Sequence, residues 1–136
     1  MLARREFSRA ELRSRLASEA QSEAELEAVL DKLASRKLLS DQRFVESLVR
    51  RRASRFGSAK IRHELAGHDL DPDHLKQTLQ QLQATELERA REVWRKRFGE
   101  PAASREERLR HMRFLASRGF PAEIVRRVVQ NEDEAS

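Results

Sequence analysis

Ile61-Arg62-His63-Glu64-Leu65-Ala66-Gly67-His68-Asp69-Leu70-Asp71-Pro72-Asp73-His74-Leu75-Lys76-Gln77-Thr78-Leu79-Gln80-Gln81-Leu82 is the stretch whose reading decides the fold. Ile61 and Leu65 lie one helical turn apart, and Gly67 then falls where a left-handed cap would end a helix. Asp71-Pro72 supplies an N-cap and a proline for the first turn, and Leu75, Leu79 and Leu82 recur at helical spacing. The stretch therefore reads helix, tight turn, helix. Its apolar positions occur again, without a gap, 49 residues earlier as Leu12, Leu16, Leu26, Leu30 and Leu33. A weaker third copy follows 50 residues later, where Leu65, Leu70, Leu75 and Leu79 map onto Leu115, Phe120, Val125 and Val129. Such self-similarity at a fixed period marks a tandem-repeat architecture, and repeat proteins commonly bind extended partners.

Working outward, helix starts are marked by capping boxes at Ser8 to Glu11, Ser22 to Glu25 and Ser104 to Glu107. In each, the serine can satisfy an orphan N–H while the glutamate reaches back. Ser40-Asp41 can cap another start, and Pro121 opens the last helix. Gly57, Gly67, Gly99 and Gly119 each follow a periodic run, as C-cap glycines do. The expected helices are 8–18, 22–37, 41–55, 58–67, 72–83, 84–98, 104–118 and 121–130. A continuous helix across 83–84 is the alternative there. The repeated part is 8–37, 58–83 and 104–130. Helices 41–55 and 84–98 precede the second and third copies, ending in Arg55-Phe56-Gly57 and Arg97-Phe98-Gly99. The fold expected is all-α: an elongated, right-angled stack of three tandem three-helix repeats. The first repeat (1–37) is truncated at its leading helix, with only Met1 to Glu6 left of it. The second spans 38–83 and the third 84–131. The acidic tail 132–136 is expected to be disordered, and stacked repeats are expected to share a continuous core.

Composition narrows the function. Among 136 residues, 38% are hydrophobic and 38% charged, which suits thin helical layers with solvated outer faces. Gly and Pro are rare, and no stretch sustains a strand period. There is no cysteine, which removes disulfides, thiolate metal sites and thiol nucleophiles. No apolar run has the length of a signal peptide or a membrane span, so a cytoplasmic protein is expected. Net charge is +5, a balance that favours a polyanionic or acidic partner.

Catalytic patterns are missing. His63 and His68 resemble a zinc-binding helix pair but lie five residues apart, which turns the second ring about 140° from the first. Both read as surface histidines. Singly scattered glycines cannot cradle a phosphate, and the carboxylates alternate with arginine at salt-bridge spacing. No enzyme, no metal and no cofactor are expected. The basic residues carry the remaining information. Arg43, Arg50, Arg51, Arg52, Arg55, Lys60 and Arg62 form one cluster, and Arg95 and Arg97 belong to a second that surrounds Trp94. Arg52 projects into the apolar stripe of Phe44, Val45, Leu48, Val49 and Ala53. It must snorkel, pair with a carboxylate, or face a cleft that a partner fills. Trp94 shares helical spacing with Leu87, Ala90 and Phe98 and reads as core. A third basic group comprises Arg105, Arg108, Arg110 and Arg113.

The run Arg36-Lys37-Leu38-Leu39-Ser40-Asp41-Gln42-Arg43-Phe44-Val45, followed by Leu48-Val49-Arg50-Arg51-Arg52, resembles the bacterial RecX family. So do Gly57-Ser58-Ala59-Lys60-Ile61-Arg62-His63-Glu64-Leu65, the opening Leu2 to Leu12, and Arg113-Phe114-Leu115-Ala116-Ser117-Arg118-Gly119-Phe120. The chain departs from that pattern at Arg36-Lys37 and at His68-Asp69, where the family has glycine before the apolar residue. It departs again at Ser40-Asp41, often two acidic residues in the family. The resemblance implies a regulator of the RecA recombinase that lies in the groove of the RecA–single-stranded DNA filament. There it would block strand exchange, ATP hydrolysis and RecA-promoted repressor cleavage. The partner expected is the RecA filament, with single-stranded DNA touched through it, and the chain acts as a monomer without membrane or small-molecule substrate. A helix-turn-helix-like DNA-binding module, with 22–36 as recognition helix, and a helical-repeat adaptor for another protein are the alternatives.

Overall fold

The computed structural model describes the backbone of residues 5–134 and the side chains of residues 5–130. Eight helices and no strand occur among them: α1 Arg9–Leu16, α2 Glu23–Ser35, α3 Asp41–Arg52, α4 Ser58–Leu65, α5 Pro72–Ala84, α6 Glu86–Arg97, α7 Arg105–Ser117 and α8 Ala122–Glu134. The pairs α1–α2, α4–α5 and α7–α8 are the three copies of the repeated unit, and α3 and α6 lead the second and third. Met1 to Arg4, which hold most of what the sequence assigns to the first leading helix, lie outside the described residues. The chain exposes 9550 Å². A compact monomer of its 15.8 kDa would expose about 7,300 Å².

Local chemistry explains the helix ends. Ser8, Ser22, Ser40 and Ser104 each accept, through Oγ, from the backbone N–H three residues on, and Asp71 does so through its carboxylate. Glu25 and Glu107 reach back to the N–H groups of Gln21 and Ala103, each at 2.8 Å. Glu11 does not reach back and pairs with Arg5 instead, at 2.6 Å. The chain breaks at Thr85 (φ −110°, ψ 6°), so α5 and α6 are separate helices.

Three expectations are corrected. Gly67, Gly99 and Gly119 have positive φ, but Gly57 does not (φ −83°). Gly57 is the N-cap of α4, and it is glycine because a Cβ there would meet the Gly119 carbonyl oxygen at 2.3 Å. α8 continues to Glu134, so residues 132–134 of the stretch expected to be disordered are helical. Stacking also does not produce one continuous core. Leu26, Leu30 and Leu39 form the first buried cluster. Phe44, Val45, Leu48, Ile61, Leu65 and Leu82 form the second. The third is built on Ala90, Trp94, Leu115, Phe120 and the α8 valines Val125, Val128 and Val129.

Polar joints connect these cores, and the two joints share one plan. In the first, the N–H of Arg9, opening α1, donates to Asp41 Oδ1 at 2.7 Å. In the second, the N–H of Ser58, opening α4, donates to Glu86 Oε1 at 2.8 Å. Asp41 and Glu86 each begin a leading helix, so an acid of the following repeat caps a helix of the preceding one. An arginine completes each joint by satisfying a carbonyl at the end of the helix just finished. Arg43 Nη2 donates to the Lys37 carbonyl at 2.7 Å, and Arg89 Nη2 to the Leu82 carbonyl at 2.9 Å. The α4–α5 turn meets the α1 N-terminus where Ser8 Oγ lies 2.6 Å from His68 Nδ1. The α7–α8 turn meets the α4 N-terminus where Gly57 N–H donates to the Arg118 carbonyl at 2.7 Å. His68, half-buried with its ring 4.6 Å from Phe44, is thus a joint residue and not the surface histidine expected.

Candidate functional site

The second joint is also where cations gather. α3 ends in Arg50-Arg51-Arg52 because basic side chains suit the negative end of a helix. The chain then turns through Ser54, Arg55 and Phe56 into the Gly57–Gly119 contact. That contact is short enough to bring Arg118, at the C-cap of α7, beside Phe56. Phe56 becomes the hub of a ring of cations. The guanidinium carbons of Arg52, Arg55 and Arg118 lie 5.7, 5.7 and 5.4 Å from its centroid, and Lys60 Nζ lies 4.7 Å away. Phe114 forms a second hub, with Arg97 at 5.2 Å and Arg118 at 4.9 Å. Arg118 touches both rings. Ring quadrupoles attract these cations and hold them in place without neutralising them.

Beside the hubs lies an open cleft of about 440 Å³, lined by Ser54, Arg55, Val93, Lys96, Arg97, Phe114 and Arg118. It adjoins a second depression that shares Ser54 and Lys96 and reaches Arg50. A further groove between α3 and α5 also includes Arg50, with Gln42, His74, Gln77 and Gln81. The three form a path along the outer edge of α3 that passes from the second repeat to the third.

The predicted residues distribute unevenly along this path. Arg50 lines two of its three segments, and Arg55 and Arg97 line the cleft. Lys60 stands over Phe56 at the rim. Arg51 is exposed, with Nε donating to the Ser47 carbonyl of its own helix at 3.3 Å. Arg62 is exposed on α4 and pairs with no carboxylate among the described residues. Arg43 is a joint residue: Nε lies 3.2 Å from both Glu6 oxygens. Arg52 takes the carboxylate option, 3.2 Å from Glu64 with both groups about one-third exposed. Arg95 is tied to Glu92 at 2.6 Å, and their hydrogen bond lowers the Glu92 pKa and raises that of Arg95. Trp94 is core, and its Nε1 donates to His111 Nδ1 at 3.1 Å.

Sequence reading missed Phe56, Phe114 and Arg118 as a unit. Arg118 lies 63 residues beyond Arg55. The one hint is that Gly57 and Gly119 each lie within two residues of an arginine, Arg55 and Arg118, and nothing local says that the two glycines touch. Arg105 and Arg108 line a separate depression at the start of α7. That is about 15 to 20 Å along the helix from Arg118. Three of the four acids of α2 pair with arginines of α1. Arg9 holds Glu27 and Asp31 at 2.6 Å, and Arg13 pairs with Glu23 and Glu27. α2 accordingly presents no cationic face to a DNA groove.

The acid that holds the second joint is buried. Glu86 is 2% exposed, with Arg89 Nη2 3.5 Å from its second oxygen. Arg89 also donates to the carbonyls of Ala53 (3.0 Å) and Phe56 (2.8 Å). Burial pulls its pKa down, and Glu86 pulls it back up. The arrangement combines cations without a carboxylate partner among the described residues with an apolar floor, a chemistry suited to anions.

Comparison with known proteins finds similarity over nearly the whole chain. A family model described as "RecX, second three-helix domain" matches residues 40–79, and one described as "RecX, third three-helix domain" matches residues 84–129. The regulatory protein RecX of Leptothrix cholodnii is 52% identical over 132 residues, covering 97% of this chain and 84% of that protein. That of Ralstonia nicotianae is 49% identical, covering 97% and 83%. That of Pseudomonas putida is 38% identical, covering 98% and 86%.

Proposed function

Because this chain belongs to the RecX family of regulatory proteins, we propose that it is a non-enzymatic negative modulator of the RecA recombinase. It lies in the groove of the RecA–single-stranded DNA filament and inhibits strand exchange, ATP hydrolysis and coprotease activity. It acts in the cytoplasm, as a monomer, and reaches DNA through the filament. The observation that carries this reading is the cationic cleft spanning the second and third repeats, where Arg55, Arg97 and Arg118 have no carboxylate partner among the described residues. A polymer groove presents acidic protein surface and phosphates at regular intervals, and an extended body with a basic edge matches it. Among the described residues no helix is long and apolar enough to cross a membrane.

Filament capture and RecA ATPase assays test the proposal. A variant carrying Arg50→Glu, Arg55→Glu and Arg97→Glu keeps its helical circular dichroism, since all three side chains are exposed. It should require more than about ten-fold higher concentration for half-inhibition, equivalent to about 1.4 kcal/mol or more. Undiminished inhibition would remove the cleft from the mechanism, and no capture of the unmodified protein would remove RecA as the partner.

A further inference from the structure

The cleft has a two-part chemistry that a plain phosphate site would lack. Its floor is apolar: Val93 is 8% exposed and Phe114 is half-buried. Its rim is cationic, with Arg55, Lys96, Arg97 and Arg118. Lys96 alone has an acid in reach, Glu92 at 4.0 Å. Stacking of single-stranded bases needs a free aromatic face, yet the two rings here already carry cations. Reading base edges needs acceptors as well as donors, and among the residues lining the cleft Ser54 is the one side-chain acceptor beside four cationic donors. Guanidinium forks suit carboxylates, and a concave apolar floor suits one anchoring side chain. Cations already held against rings lose little freedom on binding.

We propose that this cleft docks an acidic peptide segment bearing one bulky apolar side chain. The apolar group packs against Val93 at the edge of the cation-covered Phe114 ring, and flanking carboxylates meet Arg55, Arg97 and Arg118. The inference rests on the reading that the partner is a protein filament, and it assigns the protein component of that filament to the cleft. Because Arg55 belongs to the second repeat and Arg97 and Arg118 to the third, the bound peptide also bridges the joint.

Fluorescence anisotropy with the full chain tests this, using a labelled acidic peptide with a central phenylalanine, its alanine counterpart, and labelled oligothymidylate. The phenylalanine peptide should bind about ten-fold or more tightly than the alanine peptide. Arg97→Ala and Arg118→Ala should each weaken it, while Arg126→Ala, on exposed α8 surface, leaves it unchanged. Equal binding of the two peptides overturns the anchor. Oligothymidylate binding that is lost with the same substitutions, when neither peptide binds, gives the cleft to nucleic acid and overturns the proposal. Capture on RecA filaments separates the two readings. Capture without peptide binding overturns the docking site alone, and loss of both overturns the proposed function as well.

Discussion

Lys37 and Asp69 are non-glycine residues with positive φ, 60° and 51°. They stand where the chain departs from the glycine expected of its family. Lys37 occupies the left-handed position of a helix-ending turn: its N–H donates to the Ala34 carbonyl, and the Leu38 N–H to that of Leu33. A side chain there carries a steric cost, which glycine avoids. Lys37→Gly should therefore raise unfolding free energy by about 1 kcal/mol in urea titration, while preserving the carbonyl that Arg43 binds. His111 gives a pH dependence. It is buried, stacked 3.8 Å from Phe98, and accepts from Trp94 through Nδ1, which fixes its proton on Nε2. Burial lowers its pKa below the usual 6.5; Glu107 opposes the shift, and Arg110 adds to it. The unfolded chain then binds more protons than the native one as pH falls through that range. Stability is full above the usual value and declines as pH drops below it towards the native pKa. Melting temperature should fall as pH drops below about 6.5, and His111→Gln should flatten that slope. An unchanged slope would assign the effect elsewhere.

At the scale of elements, the decisive units are the joints between helices of successive repeats. Both use an acid on the leading helix to cap a helix of the preceding repeat. Their environments differ. Glu86 is nearly fully buried, whereas Asp41 is half-buried. Removing Glu86 leaves the Ser58 N–H without its acceptor and the Arg89 charge without a counterion, although Arg89 keeps its carbonyl partners, so Glu86→Ala should cost about 3 kcal/mol. Asp41→Ala should cost about 1 kcal/mol, because water can replace the lost bond. Equal costs in denaturant unfolding would refute the ranking. Capping serines and Asp71-Pro72 placed the helix starts within a residue or two, because caps are local chemistry. Gly57 misled because glycine serves two ends: left-handed backbone at a C-cap, and close approach at an N-cap. Periodicity does not tell them apart.

For the whole molecule, three separate cores linked by polar joints behave as coupled units. The first repeat is attached by Asp41, Arg43–Glu6 and Ser8–His68, and its hairpin is stitched by arginine–carboxylate pairs that are largely exposed. Salt screens such pairs, while the buried Glu86–Arg89 joint is shielded. Raising salt to about 0.5 M should speed amide exchange in α1 and α2 before it affects α6 to α8. Uniform exchange across the chain would indicate a single cooperative unit.

The sequence by itself determined what depends on near neighbours and on period. That comprises eight helices, most of their caps, the threefold repeat, and the apolar faces that became cores. Family membership was also readable there, since ordered motifs such as Arg36 to Val45 survive in the chain order. Only the tertiary structure decided which arginines are used up and which are free. Arg43, Arg52 and Arg95 look like Arg50, Arg55 and Arg97 in a list of basic residues. Glu6 and Glu64 reach the first two from distant parts of the chain, whereas Arg95 has Glu92 one turn back on its own helix, a pair that the spacing already offers. Arg118 joined the site because two backbones meet at Gly57 and Gly119 across 62 residues of chain. Charge pairing and close approach are properties of distance in space, and helical periodicity encodes direction around an axis without encoding that distance.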